Sequence, residues 1–141
     1  KVLKPNVCYE TEGYTYTTDN NGRISNVIGK LKLGDGVRNP YAQRTVGGAD
    51  RRINDDGGHL IGSQFKGSGD IDNLVPQSSI VNRAGGEWYA MEQEWASALR
   101  NKSTVDVDIK PIYSGESTRP AKIQVNYWID GEKVKKTITN N

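Results

Sequence analysis

Asp55-Asp56-Gly57-Gly58-His59-Leu60-Ile61-Gly62, followed across a Gly-rich segment by Asp72-Asn73-Leu74-Val75-Pro76-Gln77, is the stretch on which the fold turns. Each half holds a short apolar run bounded by glycine, proline or acidic residues, the pattern of a short strand. Gly58 to Gly62 reads as one strand through His59-Leu60-Ile61, and Asn73-Leu74-Val75 reads as a second. Gly67-Ser68-Gly69-Asp70 between them is a turn, because Gly and Asp accept the backbone angles that turns need. A helix follows, starting at Ser78 or Asn82 and running to Arg100. Its apolar positions Trp88, Met91, Trp95 and Leu99 recur at spacings of three and four, so they share one face. Gly85-Gly86 is placed to break that helix near its start.

Outward from this strand–strand–helix unit the chain reads as strands. Val7 to Thr18 alternates, with Tyr9, Tyr14 and Tyr16 as β-formers. Asp19-Asn20-Asn21-Gly22 is a hairpin turn, and Arg23 to Leu33 returns as a strand. Residues 34 to 57 read as a long irregular loop, a length that marks a functional or disordered segment. After the helix, Thr104 to Ile109 and Ile123 to Ile129 alternate, and Asp130-Gly131 turns the chain into Val134 to Ile138. Antiparallel strands flanking one main helix define an α+β class.

The 141 residues suit a single domain, residues 1–141, without repeats or a linker. No apolar run approaches the roughly 18 residues of a membrane span, so a membrane partner is not expected. The N-terminal Lys-Val-Leu-Lys-Pro has neither the apolar stretch of a signal peptide nor an initiating Met, so the chain is expected to be the C-terminal part of a longer protein. The one cysteine, Cys8, excludes an internal disulfide and a cysteine-based zinc site. Net charge is only +2, from 19 basic and 17 acidic residues, which is weak for a binder of phosphate backbones. Its distribution says more: Arg38, Arg44, Arg51 and Arg52 fall in a segment with one acid, Asp50.

His59 is the only histidine, and it stands behind two acids and two glycines. A carboxylate orients an imidazole and fixes its tautomer, and the glycines let a bulky substrate approach the backbone. Asn73, Gln77 and Asn82 offer neutral amide oxygens. One such oxygen, with phosphate oxygens and waters, is a workable shell for a hard cation such as Mg²⁺. Glu92 lies ten residues beyond Asn82 on the helix pattern.

Asp56-Gly57-Gly58-His59, then Asn73-Leu74-Val75-Pro76-Gln77, Asn82-Arg83, and Trp88 with Met91-Glu92, together resemble the DNA/RNA non-specific endonucleases of the ββα-metal, or His-Me finger, superfamily. The signature there is Asp-Arg-Gly-His, and Gly57 stands where the Arg would. The wording is most similar to the C-terminal toxin domains of bacterial polymorphic toxins, including LXG-type proteins of type VII secretion. The resemblance implies a ββα-metal core with His59 as general base, Asn82 as metal ligand and Glu92 holding a metal-bound water. It further implies that Asp56, Asn73 and Gln77 brace the site. Arg44 contacts the transition-state phosphate on this reading, while Arg38, Arg51 and Arg52 bind substrate.

The implied reaction is hydrolysis of phosphodiester bonds in DNA, with RNA a further substrate, using Mg²⁺ or Mn²⁺ and no sequence specificity. The implied setting is a secreted antibacterial toxin, exported by type VII secretion to act in the target-cell cytoplasm and held in check by a cognate immunity protein. Three rivals remain: a metal-independent ribonuclease using His59 and Glu92, a thiol peptidase using Cys8 and His59, and a non-catalytic nucleic-acid-binding module.

Overall fold

Alternating apolar and polar residues build the larger of two sheets. The structure, a computed structural model, describes residues 2–141. Strands β1 (Cys8–Thr11), β2 (Tyr14–Thr18), β3 (Ile24–Lys30), β6 (Val105–Tyr113), β7 (Pro120–Ile129) and β8 (Glu132–Thr139) form an antiparallel sheet in that order. Its strands are consecutive in the chain except at one joint. Between the neighbours β3 and β6 lies an insert holding α1 (Pro40–Thr45), β4 (Asp55–His59), β5 (Leu74–Ser78), α2 (Ser79–Asn82) and α3 (Glu87–Arg100). The flanking strands are thus a scaffold, and the insert is the ββα unit.

Helix α3 buries Trp88, Met91, Trp95 and Ala96 against the sheet residues Val107, Ile109, Val125 and Tyr127. Trp95 meets the rings of Trp88, Phe65 and Tyr127 edge-on, with centroids 6.3, 6.2 and 5.4 Å away. Two sheet tyrosines reach into the insert: Tyr14 donates to the Phe65 carbonyl at 2.7 Å and Tyr16 to Asn73 Oδ1 at 3.0 Å. Each buried hydroxyl therefore has a partner, and the sheet is tied to the site by directional bonds as well as packing.

The structure corrects several expected boundaries. Val7 to Thr18 is a hairpin, not one strand, because Glu12 and Gly13 both take positive φ (55° and 85°) and turn the chain. The segment 34 to 57 is partly ordered. Asn39 caps α1 by accepting the Ala42 N–H at 3.1 Å, with Pro40 at the first helical position, and a 3₁₀ turn follows at Gly48–Asp50. Leu60 and Ile61 lie beyond β4, which begins at Asp55 and pairs Asp55 to Ser78 and His59 to Leu74. Gly57 and Gly58 make that pairing feasible. A Cβ on Gly57 would lie 2.3 Å from the Gln43 carbonyl oxygen, and one on Gly58 would lie 2.2 Å from Gln77 Oε1. The expected single helix is two: α2 ends at Asn82, and Gly85 (φ 94°) turns the chain before α3.

A buried ion pair fastens the insert to the residue that precedes β7. Arg119 forks onto Asp55, Nε to Oδ2 at 2.7 Å and Nη2 to Oδ1 at 2.9 Å. Burial alone would raise the Asp55 carboxyl, but the Arg119 fork and the Arg52 backbone N–H outweigh it and hold it below the ordinary range. Removing one partner of such a pair costs about 3–5 kcal/mol, because the other is left buried and unpaired.

Candidate active site

Strand β4 carries a polar cluster at each end. Near its start, Asp56 is held by Arg83, whose Nη2 and Nε donate at 2.7 and 3.0 Å, and by Asn82 Nδ2 at 3.0 Å. Burial would raise the Asp56 carboxyl, but these donors prevail and hold it low, so it is an anion. Asp56 and Asn82 line an open cleft of about 370 Å³ with Gly57 and with Pro40, Gln43, Arg44 and Arg51. Helix α1 thereby brings Arg44 to the same cleft as Asn82.

At the other end stands His59, roughly 10 Å along the strand at about 3.3 Å per residue. Its Nε2 is buried and has no hydrogen-bond partner among the described residues. Burial, with the positive charge of Arg38 nearby, pushes the imidazole down to about 4, so it is neutral at physiological pH. Glu92 on α3 feels Arg38 as well. Burial pushes its carboxyl up to about 7, and the Trp88 indole and Arg38 only partly offset this. Gly62 makes room for it, since a Cβ there would lie 2.8 Å from Glu92 Oε2. Arg38 is steadied by one bond, Nη2 to Ser63 Oγ at 3.1 Å. A neutral base, a carboxyl poised near neutrality and an arginine within their field are the ingredients of proton transfer beside a phosphate.

The supporting residues divide. Asn73 is fully used: Oδ1 accepts from Tyr16 and from the Ile61 N–H, and Nδ2 donates to the Ile61 and Ser68 carbonyls at 2.7 and 2.8 Å. It fixes the turn that returns the chain from β4 to β5. Gln77 is buried beside Gly58, and neither of its amide atoms has a partner. Arg51 points its guanidinium at the carbonyls of Gln43, Val46 and Asp55, at 2.7, 3.3 and 3.0 Å, and so shapes the loop. Arg52 is exposed and offers Asp55 only its backbone N–H. Cys8 lines a separate cleft with Tyr9, Asp70 and Asp72, apart from the one that holds Asp56 and Asn82.

The bond from Nδ2 to Asp56 leaves Asn82 Oδ1 with no donor among the described residues. Nor do three His, Cys, Asp or Glu side chains cluster there to hold an ion. One neutral oxygen is too few for zinc, but it fits a hard cation that keeps most of its waters. Asp56 shares its charge with that amide from behind, as outer-shell carboxylates do.

Residues 5–131 match the DNA/RNA non-specific endonuclease family, and the chain belongs to it. Over 99% of its length it is 48% identical to the type VII secretion system protein EssD of Staphylococcus aureus (strain USA300), of which it spans 24%. Over 81% of its length it is 27% identical to the probable deoxyribonuclease RhsA of Dickeya dadantii (strain 3937), of which it spans 8%. The chain thus covers about a quarter or less of these relatives. Among solved structures, NucA from Streptococcus agalactiae with a magnesium ion bound superposes with a TM-score of 0.75 at 18% identity, over 99% of this chain and 75% of that one. The Sda1 nuclease with a bound zinc ion gives 0.65 at 16%, over 90% and 75%. At those identities the likeness is one of fold, an α+β architecture of antiparallel strands and one main helix.

Two features of the site escaped the sequence. The Arg83–Asp56 fork joins residues 27 apart, and nothing in their spacing announces it. The Arg119–Asp55 pair spans 64 residues and ties the acidic end of the 34–57 loop to a stretch, between the strands read at 104–109 and 123–129, to which the sequence pattern assigns no element.

Proposed function

We propose that this chain is the nuclease domain of a longer secreted antibacterial protein, hydrolysing phosphodiester bonds in DNA, and in RNA, with a divalent ion. The observation that carries this is His59: neutral, desolvated and unpartnered at Nε2, at the end of the strand whose other end holds Asn82. His59 takes a proton from the water that enters with the phosphate, and the hydroxide so formed attacks phosphorus. The bond from phosphorus to the 3′-oxygen breaks, and that oxygen takes a proton from solvent. Glu92, once ionised, orients the water, while Arg38 and Arg44 meet the phosphate oxygens. Asn82 is the residue that would hold the ion, and a bound Mg²⁺ or Mn²⁺ supplies charge stabilisation at the phosphate oxygens. The magnesium in the NucA structure supports an ion of this kind.

Cleavage of plasmid DNA and of a structured RNA, with and without EDTA, tests this. Loss of both activities in EDTA and their return with Mg²⁺ is expected. One observation favours a rival: a Glu92 carboxyl near 7 is suited to act as an acid opposite a His59 base in a metal-independent ribonuclease. Cleavage of RNA alone, undiminished by EDTA, would establish that rival instead.

The relation to EssD supports export by type VII secretion, and we infer that the domain then acts in the target-cell cytoplasm. A non-specific nuclease is lethal to its maker, so we infer a cognate immunity protein with an acidic face. Exposed Arg44, Arg52 and Arg83 on and beside the cleft are suited to steer it. Ile53 and Ile80, 98% and 81% exposed, add apolar surface, and their chain neighbours Asn54 and Ser79 are bonded to each other. Expression alone in bacteria should be toxic, and His59→Ala should abolish that toxicity. Harmless expression of a protein active in vitro would remove the need for such a partner.

A further inference from the structure

Asn140 makes a bond with each of its polar groups while 3% exposed. Its Oδ1 accepts the Ser78 N–H at 2.7 Å, and its Nδ2 donates to the Pro76 and Pro120 carbonyls at 3.1 and 2.8 Å. Its backbone N–H donates to the Ala121 carbonyl at 3.0 Å, and its own carbonyl accepts from Arg119 Nη1 at 2.7 Å. The other two nitrogens of Arg119 hold Asp55. The side chain therefore joins the start of β7 to β5, and the backbone carbonyl of the same residue, through Arg119, reaches β4.

The place it grips is the base of α2. Ser78 is the last residue of β5 and the N-cap of α2, and its own side chain makes no capping bond. Helix α2 is a single turn of four residues carrying Asn82 at its end. One turn has no stability of its own, because nucleation fixes several dihedrals for one hydrogen bond. Its direction must come from the anchors at its base: the Ser78 N–H on Asn140, the Ser79 N–H on the Asn54 carbonyl, and the Asp55–Ser78 pairing that Arg119 backs. The first runs through the Asn140 side chain, and the third is backed by the Arg119 that the Asn140 backbone carbonyl holds. At the far end of the turn, Asn82 meets Asp56, the strand neighbour of Asp55.

We propose that Asn140, acting through Ser78 and Arg119, is a positioning residue that holds Asn82 and Asp56 in register for the reaction. The inference rests on the reading of Asn82 given above. It makes a residue just past the last strand of the scaffold sheet, remote in sequence from the motif, part of the site's alignment.

Asn140→Ala, read by amide hydrogen exchange on the metal-free protein and by steady-state cleavage, tests the assignment. Exchange should quicken in residues 74–83 and stay as in the wild type in residues 105–113. kcat should fall about tenfold, as for other residues that orient a metal ligand from behind, with KM for DNA changed less than about twofold because phosphate contacts are untouched. Arg119→Lys is the gentler variant: it keeps a cation for Asp55 but loses the planar fork, and should give the same pattern in smaller measure. Uniform quickening across both segments, or local quickening with kcat unchanged, would overturn the proposal. Asn82→Ala separates the two readings. Full activity in that variant, with exchange over residues 74–83 as in the wild type, would be a failure of the metal-site assignment and not of the clamp.

Discussion

At Asp56 both carboxylate oxygens have donors, whereas three residues along the same strand His59 Nε2 has none. The first end is finished at its carboxylate: Asn82 and Arg83 donate to both oxygens of Asp56 at the cleft wall, and Asn82 Oδ1 is left open. The second is unfinished: the neutral imidazole of His59 and the Glu92 carboxyl, raised to about 7 beside the Trp88 indole, both feel Arg38, and His59 Nε2 has no partner among the described residues. Buried polar atoms left unpaired cost free energy and persist where a ligand or a reaction supplies the missing partner. The contrast assigns holding to the Asp56 end and proton transfer to the His59 end. Each prediction below strikes one end and asks whether the other still works.

The largest effect is expected at the unfinished end. His59→Ala should leave the circular dichroism spectrum unchanged and lower cleavage by at least about a hundredfold, the scale of a lost general base. A folded variant that cuts plasmid at the wild-type rate would collapse the contrast. At the finished end, Asn82→Ala should act on the ion and spare the chemistry. The Mg²⁺ concentration for half-maximal activity should rise about tenfold or more, while affinity for DNA measured without metal stays the same. An unchanged Mg²⁺ titration would take Asn82 out of the ion's shell.

The sequence showed the His59 end more clearly than the Asp56 end. A lone histidine behind Asp55-Asp56-Gly57-Gly58 points to a site, and alternation placed most of the large sheet to within a few residues. Apolar spacing gave α3, and Gly85-Gly86 its start. Strand β4 was set three residues too late, because Leu60 and Ile61 look like strand and Asp-Asp-Gly-Gly does not. Its pairing is imposed by neighbours that press on the two glycines. Helix α1 carried a legible signal in Asn39-Pro40, a cap followed by a first-turn proline, which a loop reading passes over. Arg119 and Asn140 carried none, since a buried arginine fork and an exposed one look alike in one dimension.

The pH dependence sharpens the unfinished end. With His59 at about 4, the base is already neutral across the ordinary assay range. Glu92 titrates near 7, so kcat/KM should climb roughly tenfold as pH rises through about 7 if the ionised carboxylate orients the water. Glu92→Gln should be slow and flat across that range. The linkage has the opposite sign. A carboxyl whose folded pKa is raised stabilises the fold below its unfolded value, near 4.5, and loses that contribution as pH rises through 7. The metal-free Glu92→Gln protein should therefore gain melting temperature at pH 8 relative to wild type, and little at pH 5. A gain of equal size at both would place Glu92 outside the buried site.

The smallest effects belong to the arginines that frame the cleft, and they test whether its wall is structure or contact surface. Arg44 lines the cleft with an exposed side chain, and Arg52 is exposed beside it. Arg51 lines the same cleft, but its guanidinium is bonded to three backbone carbonyls. Each phosphate contact contributes about 0.9 to the slope of log affinity against log salt. Arg44→Ala and Arg52→Ala should each lower that slope by about one, and Arg44→Ala should also slow turnover a few-fold. Arg51→Ala should leave the slope alone and lower the melting temperature, since it removes the bonds that fold the 43–55 loop over β4. Fluorescence anisotropy of a labelled duplex at several salt concentrations, paired with thermal unfolding, separates these outcomes. If Arg51→Ala lowers the slope as Arg44→Ala does, the carbonyl contacts yield to phosphate when substrate arrives. The wall near Asp56 would then be remodelled by binding, and the holding end of β4 would be less finished than its hydrogen bonds make it.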